Sequence, residues 1–410
     1  MTDKSKAKRA AVGACIALFA NMGMNSVFTV FLPVFQTEWG ADQIANIALA
    51  ATFGCLMASA CSMFLVGPLL KKLAPRSLFL ICAVLAAVYC LLYFSATKVW
   101  MLIVAGLFGG LVLAIGTHAM GVAVITPYFA SYGKKTPLIV SLVLASAALG
   151  AAAFSFLPGL LFARMAWRNI FLVIGAIVVV CDLIAFFLIP KTEKTAAADT
   201  AAAAAPEAAG LTMRQTLKTP AFWLVFLGVL FLTIMYQGLC VYMPSYLTAQ
   251  GMSESVGASM QGVIQTVGIV FIFAGGALVN KIGVRGLILF AGAPLTAGLL
   301  LFAYLFPSAK SVALAVVCAV LCVSGAVITN ICPTITPVLF GQRSMNQINS
   351  IYSGGAFWGG AALASQVVGR VITGTGSFAN GFLTAAVIGV AGMALLFVSL
   401  AVSPMKKRAD

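Results

Sequence analysis

Long apolar stretches, separated by short segments that contain charged residues, Pro or Gly, dominate this sequence. Hydrophobic residues make up 62% of the chain and charged residues 8%, and the mean hydropathy is +1.10. A soluble domain carries about 25% charged residues, so the charges here are too few for a water-facing surface. The stretches also exceed the alternating segments of about ten residues that form outer-membrane barrels. The sequence therefore predicts an integral membrane protein whose spans are helices.

Twelve of these segments are long enough to span a membrane, because a helix rises about 1.5 Å per residue and the hydrocarbon core is about 30 Å thick. The segments are 10–35, 43–69, 77–97, 99–126, 137–162, 169–190, 221–248, 254–279, 285–306, 311–339, 346–371 and 378–403. A polar, alanine-rich stretch, 191–218, separates the first six from the last six. We therefore expect a six-helix bundle over 1–190, a cytoplasmic linker over 191–218 and a second six-helix bundle over 219–410.

The positions of the basic residues predict the orientation in the membrane. Nineteen of the 24 Lys and Arg residues lie on the side of the termini. The other five lie on or near the opposite side, namely Lys98, Arg164, Arg168, Lys310 and Arg370. The positive-inside rule then places both termini in the cytoplasm, which predicts a multi-pass protein of the cytoplasmic (inner) membrane with an uncleaved first span. The net charge of +15 is explained by topology and contact with anionic lipids, without a nucleic acid partner.

Reactive side chains are scarce. The chain has one His, and its ten cysteines lie singly in the predicted helices apart from Cys318 and Cys322. An intramembrane enzyme needs a compact cluster such as paired acids or a Ser/His couple, and no phosphate-binding loop of the Walker type is present. We therefore predict no catalytic site, metal site or cofactor. A second function class to weigh is a sensor that does not transport but is built on a transporter scaffold. The linker is short for a sensory domain.

One loop pattern occurs twice. A Gly stands nine residues before an Arg, with a Lys at offset five, after the second and after the eighth predicted helix. The residues are Gly67, Lys72 and Arg76 in the first copy and Gly276, Lys281 and Arg285 in the second. Internal repeats of this kind are typical of transporters built from two related bundles, and we predict that these are gating loops.

These loops resemble the Gly-x-x-x-Asp-Arg-x-Gly-x-Arg signature of the major facilitator superfamily, with Lys71 and Asn280 at the acidic position. The resemblance covers nearly the whole chain. It implies an all-α membrane protein with twelve transmembrane helices in two pseudo-symmetric six-helix bundles, in which helices 1, 4, 7 and 10 line the pathway. The loss of the acidic residues implies weaker cytoplasmic latches.

A narrower resemblance concerns the solute. Tyr128-Phe129 with Lys134-Lys135 is similar to a pattern of monocarboxylate porters, and 219–223, 339–341 and 374–378 are similar to segments of that group and of oxalate/formate antiporters. This implies a mono- or dicarboxylate solute. However, Ile272 stands where the porters have an anion-binding Arg, and the Lys of the antiporters is absent from the eleventh predicted helix.

Two titratable groups lie near the middle of predicted spans, His118 in helix 4 and Asp182 in helix 6. A charge there costs about 2.5–3.5 kcal/mol on insertion scales, so both are candidates for proton coupling. His118 lies on a helix that the resemblance assigns to the pathway, and the ordinary His pKa near about 6.5 suits proton transfer or solute contact. For each residue the alternative is a neutral side chain that packs between helices.

Neutral polar side chains in the predicted spans can orient a solute by hydrogen bonds. With His118, the predicted solute-binding residues are Asn21, Asn25, Tyr236, Gln237, Gln261, Gln265, Asn330, Tyr352 and Trp358. Gln261 and Gln265 share one helix face at i, i+4. An interhelical hydrogen bond is the alternative for each of them.

Together these features predict a monomeric secondary active transporter that moves a small organic solute by alternating access, with a carboxylate favoured and with proton coupling. The competing interpretation is a multidrug or other neutral-metabolite porter of the same fold. The fifth predicted helix lacks the Gly-Pro-x-x-Gly-Gly run of drug antiporters.

Overall fold

The computed structural model describes residues 3–65, 69, 72–116, 124, 136–190, 210–341 and 343–404. Helices occur at every predicted apolar segment. In chain order they are α1 Asp3–Trp39, α2 Ile44–Ser62, α3 Pro75–Phe94, α4 Val99–Ile115, α5 Thr136–Leu161, α6 Trp167–Leu188, α7 Pro220–Ala249, α8 Glu254–Val279, α9 Lys281–Ala309, α10 Val312–Phe340, α11 in three parts (Met345–Ile351, Tyr352–Phe357 and Trp358–Thr375) and α12 Phe378–Ala401.

Within the described ranges, nine of these helices are long and apolar enough to cross a membrane. The described part of α4 and residues 145–161 of α5 are shorter apolar helices, and α11 is not among the nine. The twelve positions follow from hydropathy alone, because a lipid-facing helix must be apolar around most of its surface.

Several helices depart from regular geometry. Tyr352–Phe357 of α11 and Leu301–Leu305 of α9 are π-helical turns, and Ser324–Val327 of α10 is a 3₁₀ turn. At the α8–α9 junction Gly283 has φ 66° and ψ −179°, a conformation that L-residues with a Cβ rarely adopt. This glycine belongs to the second copy of the repeated loop.

One compact unit contains residues 1–204 together with Ser253–Gln265. In it α1 packs against α5 and α6, α2 packs against α4, and α3 packs against α4 and α6. Glycines allow the closest crossings: a Cβ on Gly150 would overlap the backbone of Phe19, and one on Gly106 would overlap the backbone of Ala50. The start of α8 belongs to this unit, and the Ser255 hydroxyl donates to the Gly159 carbonyl at 3.2 Å.

The second compact unit contains residues 205–252 and 266–410. In it α7 packs against α11 and α12, and α11 packs against both α10 and α12. The partners of α7 are therefore six helices further along the chain than the partners of α1, as an internal repeat would produce.

Residues 210–217, the last part of the predicted linker, are folded onto the end of α10. The Leu211 amide donates to the Phe340 carbonyl at 2.8 Å, and Gly210 forms an isolated antiparallel bridge with Gly341. Leu211 is 5% exposed. The Thr212 hydroxyl and the Gln215 side chain cap the short helix Met213–Leu217 reciprocally. Linker residues 191–209 lie outside the described ranges.

Candidate functional site

A fully buried polar contact joins α1 to α6 in the first unit. The Asn21 side-chain amide donates to Oδ1 of Asp182 at 2.9 Å, and both residues are 0% exposed. The other side-chain oxygens of the pair, Oδ1 of Asn21 and Oδ2 of Asp182, are buried without a hydrogen-bond partner. Buried polar atoms are normally paired, so this pair has unused hydrogen-bonding capacity.

Four helices meet at this pair. Gly116, at the end of α4, would place a Cβ 2.8 Å from the Asn21 side-chain nitrogen, so the absence of a side chain at 116 makes room for the amide. The thiols of Cys82 on α3 and Cys181 on α6 lie near Asp182. The predicted proton-coupling residue His118 lies outside the described ranges.

Two arginines bind α6 about one turn beyond Asp182. Arg9 of α1 donates to the Phe187 carbonyl at 3.2 Å, and the Arg76 guanidinium lies 5.1 Å from the centroid of the Phe186 ring.

The remaining predicted residues of the first unit differ in exposure. Asn25 is half-buried, and its side-chain amide donates to the Asn21 carbonyl at 3.0 Å. Gln261 is 1% exposed, and its Oε1 has no hydrogen-bond partner. Gln265 is half-buried on the same helix. Asn25 and Gln265 are therefore less buried than Asn21 and Gln261.

In the second unit, two of the predicted residues have their polar groups in interhelical hydrogen bonds. The Asn330 amide donates to the Ile272 carbonyl at 2.7 Å, which joins α10 to α8. The Tyr352 hydroxyl donates to the Phe222 carbonyl at 3.2 Å, and the two rings stack with centroids 5.1 Å apart. The structure thus gives both residues a packing role.

Three other predicted residues of this unit have fewer polar contacts. Gln237 and Trp358 are half-buried, and the described residues offer Gln237 no hydrogen bond. Trp358 contacts Phe357 edge-on, with ring centroids 5.4 Å apart. Tyr236 is 8% exposed, and its ring packs on Gly325 in the 3₁₀ turn of α10. Gln237 and Trp358 are therefore the more accessible members of the set.

The described part of the chain contains no group of three or more His, Cys, Asp or Glu side chains that could hold a metal ion. All ten cysteines are free thiols.

Comparison with known proteins identifies the family. A family model described as Major Facilitator Superfamily matches residues 14–365, most of the chain. The chain belongs to the major facilitator superfamily. No curated protein matches its sequence significantly. The predicted all-α major facilitator fold is therefore confirmed.

Solved structures show the same fold in other members. A mutant of the nucleoside transporter NupG is similar with a TM-score of 0.78 at 13% identity, over 96% of this chain and 99% of that one. A bacterial homologue of the human lysosomal transporter Spinster, in an inward-facing and occupied conformation, has a TM-score of 0.72 at 15% identity, over 97% of both chains. These likenesses concern the fold. The protein is a multi-pass membrane transporter rather than an enzyme.

The family's loop signature can be placed in part. Gly67 and Lys71 lie outside the described residues, while Lys72 is exposed and Arg76 stacks on Phe186. In the second copy Lys281, Arg285 and Gly276 are exposed. The close helix approach is made one residue earlier than Gly276: a Cβ on Gly275 would lie 2.7 Å from a Val327 methyl group.

Sequence reasoning missed the pairing of Asn21 with Asp182 and the role of Gly116. The polar residues themselves stood out because they interrupt apolar helices. Their pairing depends on how α1 rotates against α6, for which the sequence carries no signal.

Proposed function

We propose that this major facilitator is a secondary active transporter that moves a small organic acid together with a proton by alternating access. The observation that carries the proton coupling is Asp182, a carboxyl group with 0% exposure inside a membrane-spanning helix. A carboxyl group in this position is costly when charged, which makes it a functional candidate. Asp182, together with His118, is the proposed proton carrier.

The charge distribution supports co-transport of a proton with an anion. In the described helices the basic side chains lie within about two turns of the ends, as Arg370 does near the end of α11, and Arg370 is exposed. Ile272 offers no charge, and its carbonyl accepts the Asn330 amide. A carboxylate that enters with one proton adds no net charge to such an interior, so the missing counter-ion is tolerated.

The proposed solute contacts are the predicted residues whose polar groups are least used by the fold. These are Asn25, Gln237, Gln265 and Trp358, with Tyr236 and Gln261. His118, which lies outside the described residues, is proposed as a solute contact from the sequence alone. Amides and an indole can hydrogen-bond the carboxyl or hydroxyl groups of a small acid. Asn330 and Tyr352 are proposed to act by holding their helices in place, through their hydrogen bonds to Ile272 and Phe222.

A neutral solute is the second candidate. The uncharged side chains that favour co-transport of a proton with an acid would also suit a neutral hydrogen-bonding metabolite. The structurally similar NupG is titled a nucleoside transporter. A multidrug porter of this fold has no such supporting observation.

Uptake into proteoliposomes separates these candidates. The panel contains labelled short-chain mono- and dicarboxylates, neutral analogues of the same acids, and nucleosides, each assayed with and without an inward proton gradient. We expect carboxylates to accumulate only when the gradient is present. Accumulation of neutral analogues or nucleosides, with no transport of carboxylates, would exclude the acid as solute and leave the transporter fold intact.

The carrier role of Asp182 has its own test. Asp182→Asn keeps the shape of the side chain but cannot bind and release a proton. We expect it to lose gradient-driven accumulation while retaining exchange of labelled for unlabelled solute. Asp42→Asn is the matched control, because Asp42 is exposed in the turn between α1 and α2. Unchanged accumulation in Asp182→Asn would remove this residue from the mechanism.

The proposal includes the cytoplasmic membrane as location, cytoplasmic termini and a monomeric functional unit. The distribution of the basic residues supports the orientation.

A further inference from the structure

Two neighbouring oxygens inside the first unit lack hydrogen donors. Asn21 and Asp182 are joined by one hydrogen bond of 2.9 Å between the amide nitrogen and Oδ1 of the carboxyl group. Oδ1 of Asn21 and Oδ2 of Asp182 are both buried and unpartnered. An unsatisfied buried acceptor destabilises a protein, so two on adjacent groups require an explanation.

Reversal of the Asn21 amide does not solve the problem. It would point the amide oxygen at Oδ1 of Asp182 and place two acceptors against each other. A carboxyl group that carries a proton on Oδ2 does solve it, because Oδ2–H can donate to the amide oxygen while Oδ1 keeps the amide N–H. A neutral acid and an amide are thus complementary groups, each with one donor and one acceptor.

The surroundings of Asp182 favour the neutral acid. Among the described residues, Asn21 of α1 donates to it, and the thiols of Cys82 on α3 and Cys181 on its own helix lie near it. The nearby cations, Arg9 and Arg76, contact α6 at Phe187 and Phe186. Among the described residues, a carboxylate at 182 would have one neutral donor in a buried site, which is the arrangement that buried charges avoid.

We propose that Asn21 and Asp182 form an acid–amide pair that holds one exchangeable proton, and that Asn21 positions this proton rather than binding the solute. This inference deepens the proposed function and rests on it for the role of the proton in transport. The proton binds as an O–H bond formed at Oδ2 of Asp182 from water on one side of the membrane. That bond breaks when the pair becomes accessible to water on the other side.

Gly116 connects the pair to α4. Because a Cβ at 116 would lie 2.8 Å from the Asn21 nitrogen, movement of the end of α4 changes the space available to the amide. A rearrangement there would alter the hydrogen bonds between Asn21 and Asp182, and with them the affinity of the acid for its proton.

Infrared spectroscopy of the purified full-length protein tests the pair without any solute. We expect the wild type to show a C=O stretching band of a protonated carboxylic acid that disappears as pH is raised. Asp182→Asn should remove this band. Asn21→Leu, which lacks both amide groups, should keep the band but shift it to higher frequency, since the acid loses its hydrogen bonds, and should move the pH midpoint of its titration.

Solute binding measured on the same samples separates the two roles of Asn21. A positioning residue predicts that Asn21→Leu changes the band and the pH profile of uptake while the Kd for the solute stays unchanged at a pH where the acid is protonated. A loss of solute affinity with an unshifted band would overturn the proposal and make Asn21 a solute ligand.

A double variant that exchanges the acid and the amide distinguishes loss of the pair from a failure to fold. The double variant Asn21→Asp with Asp182→Asn restores one acid and one amide in reversed positions. We expect it to regain a titrating carboxyl band and part of the gradient-driven uptake that Asp182→Asn loses. If the double variant is folded but shows no such band, or if Asp182→Asn alone keeps the wild-type band, the shared proton does not exist.

A different result would contradict the proposed function while leaving the acid–amide pair intact. If uptake proves independent of the proton gradient while the band responds to Asp182→Asn and Asn21→Leu as expected, the pair is correct and the coupling is wrong.

Discussion

Helices α2 and α4 lie close together because glycines in α4 have no side chain at their crossing. A Cβ on Gly106 would overlap the backbone of Ala50, and one on Gly110 would overlap the backbone of Gly54. The Gly106/Gly110 spacing thus marks a real crossing of two backbones. The same spacing at Gly355 and Gly359 does not, because nothing lies within 4 Å of a Cβ on Gly359. Spacing alone indicates that a close approach is permitted, and the packed structure decides where it occurs.

Gly106→Ala and Gly359→Ala should therefore behave differently. We expect Gly106→Ala to lower the free energy of unfolding by about 1–3 kcal/mol, the usual effect of overpacking. Gly359→Ala should be neutral or stabilise by up to about 1 kcal/mol, through helix propensity. Thermal unfolding of both variants in the same detergent checks the prediction. Equal unfolding midpoints for the two variants would show that α2 and α4 can move apart without a loss of stability.

Asn330 provides a second test at the residue scale. Its amide bonds the Ile272 carbonyl at 2.7 Å and lies beside Gly275. We expect Asn330→Ala to destabilise the protein by about 0.5–1.5 kcal/mol, the net value of one hydrogen bond. Solute Kd should remain that of the wild type, whereas Gln237→Ala should weaken solute binding. A Kd that rises only in Asn330→Ala would reverse these two assignments.

At the scale of elements, residues 210–217 join the linker to two helices. Leu211 pairs with the end of α10, and the Trp223 indole donates to the Leu217 carbonyl at 3.1 Å, which holds the short helix against the start of α7. Gly341 makes the turn after α10 with φ 79°, a value that L side chains rarely adopt. The linker end is thereby part of the second unit.

Gly341→Ala is expected to loosen this attachment. The strained backbone should destabilise the docked state by about 1–3 kcal/mol. Arg214 in the short helix is exposed, so trypsin should cleave after it faster in the variant than in the wild type. Gly374→Ala serves as the control, because a Cβ there would have nothing within 4 Å. Mass spectrometry of the fragments identifies the cut, and equal rates for both variants would mean that residues 210–217 are held by other contacts.

The helices also show which structural features the sequence can predict. Helix positions follow from hydropathy, so the described residues include a helix in each of the twelve predicted segments. The π-turn at Tyr352–Phe357 and the docking of Leu211 on Phe340 were not predicted. Both depend on contacts between elements distant in sequence, and neither leaves a local pattern in residue type. The same reason explains why Asn21 and Asp182 were predicted as separate candidates and not as a pair.

For the whole molecule, orientation in the membrane is the property that the amino acid composition constrains most directly. The Lys and Arg residues on the side of the termini number 19 of 24, and the positive-inside rule counts this bias in short loops. We therefore expect the loop between α9 and α10 to lie outside and the loop between α10 and α11 to be cytoplasmic. Both loops offer exposed positions, Ser311 and Arg343.

Cysteine labelling of whole cells tests this orientation. In a background without the ten native cysteines, Ser311→Cys should react with a membrane-impermeant maleimide added outside, whereas Arg343→Cys should react only after the membrane is opened. The two variants control for each other, because each reports on the opposite side of one helix, α10. The physical cause is the cost of moving basic loops across the membrane during insertion, so the expected ratio of labelling is large. Labelling of Arg343→Cys in intact cells, with Ser311→Cys protected, would place the termini outside and reverse the direction assigned to both repeated loops.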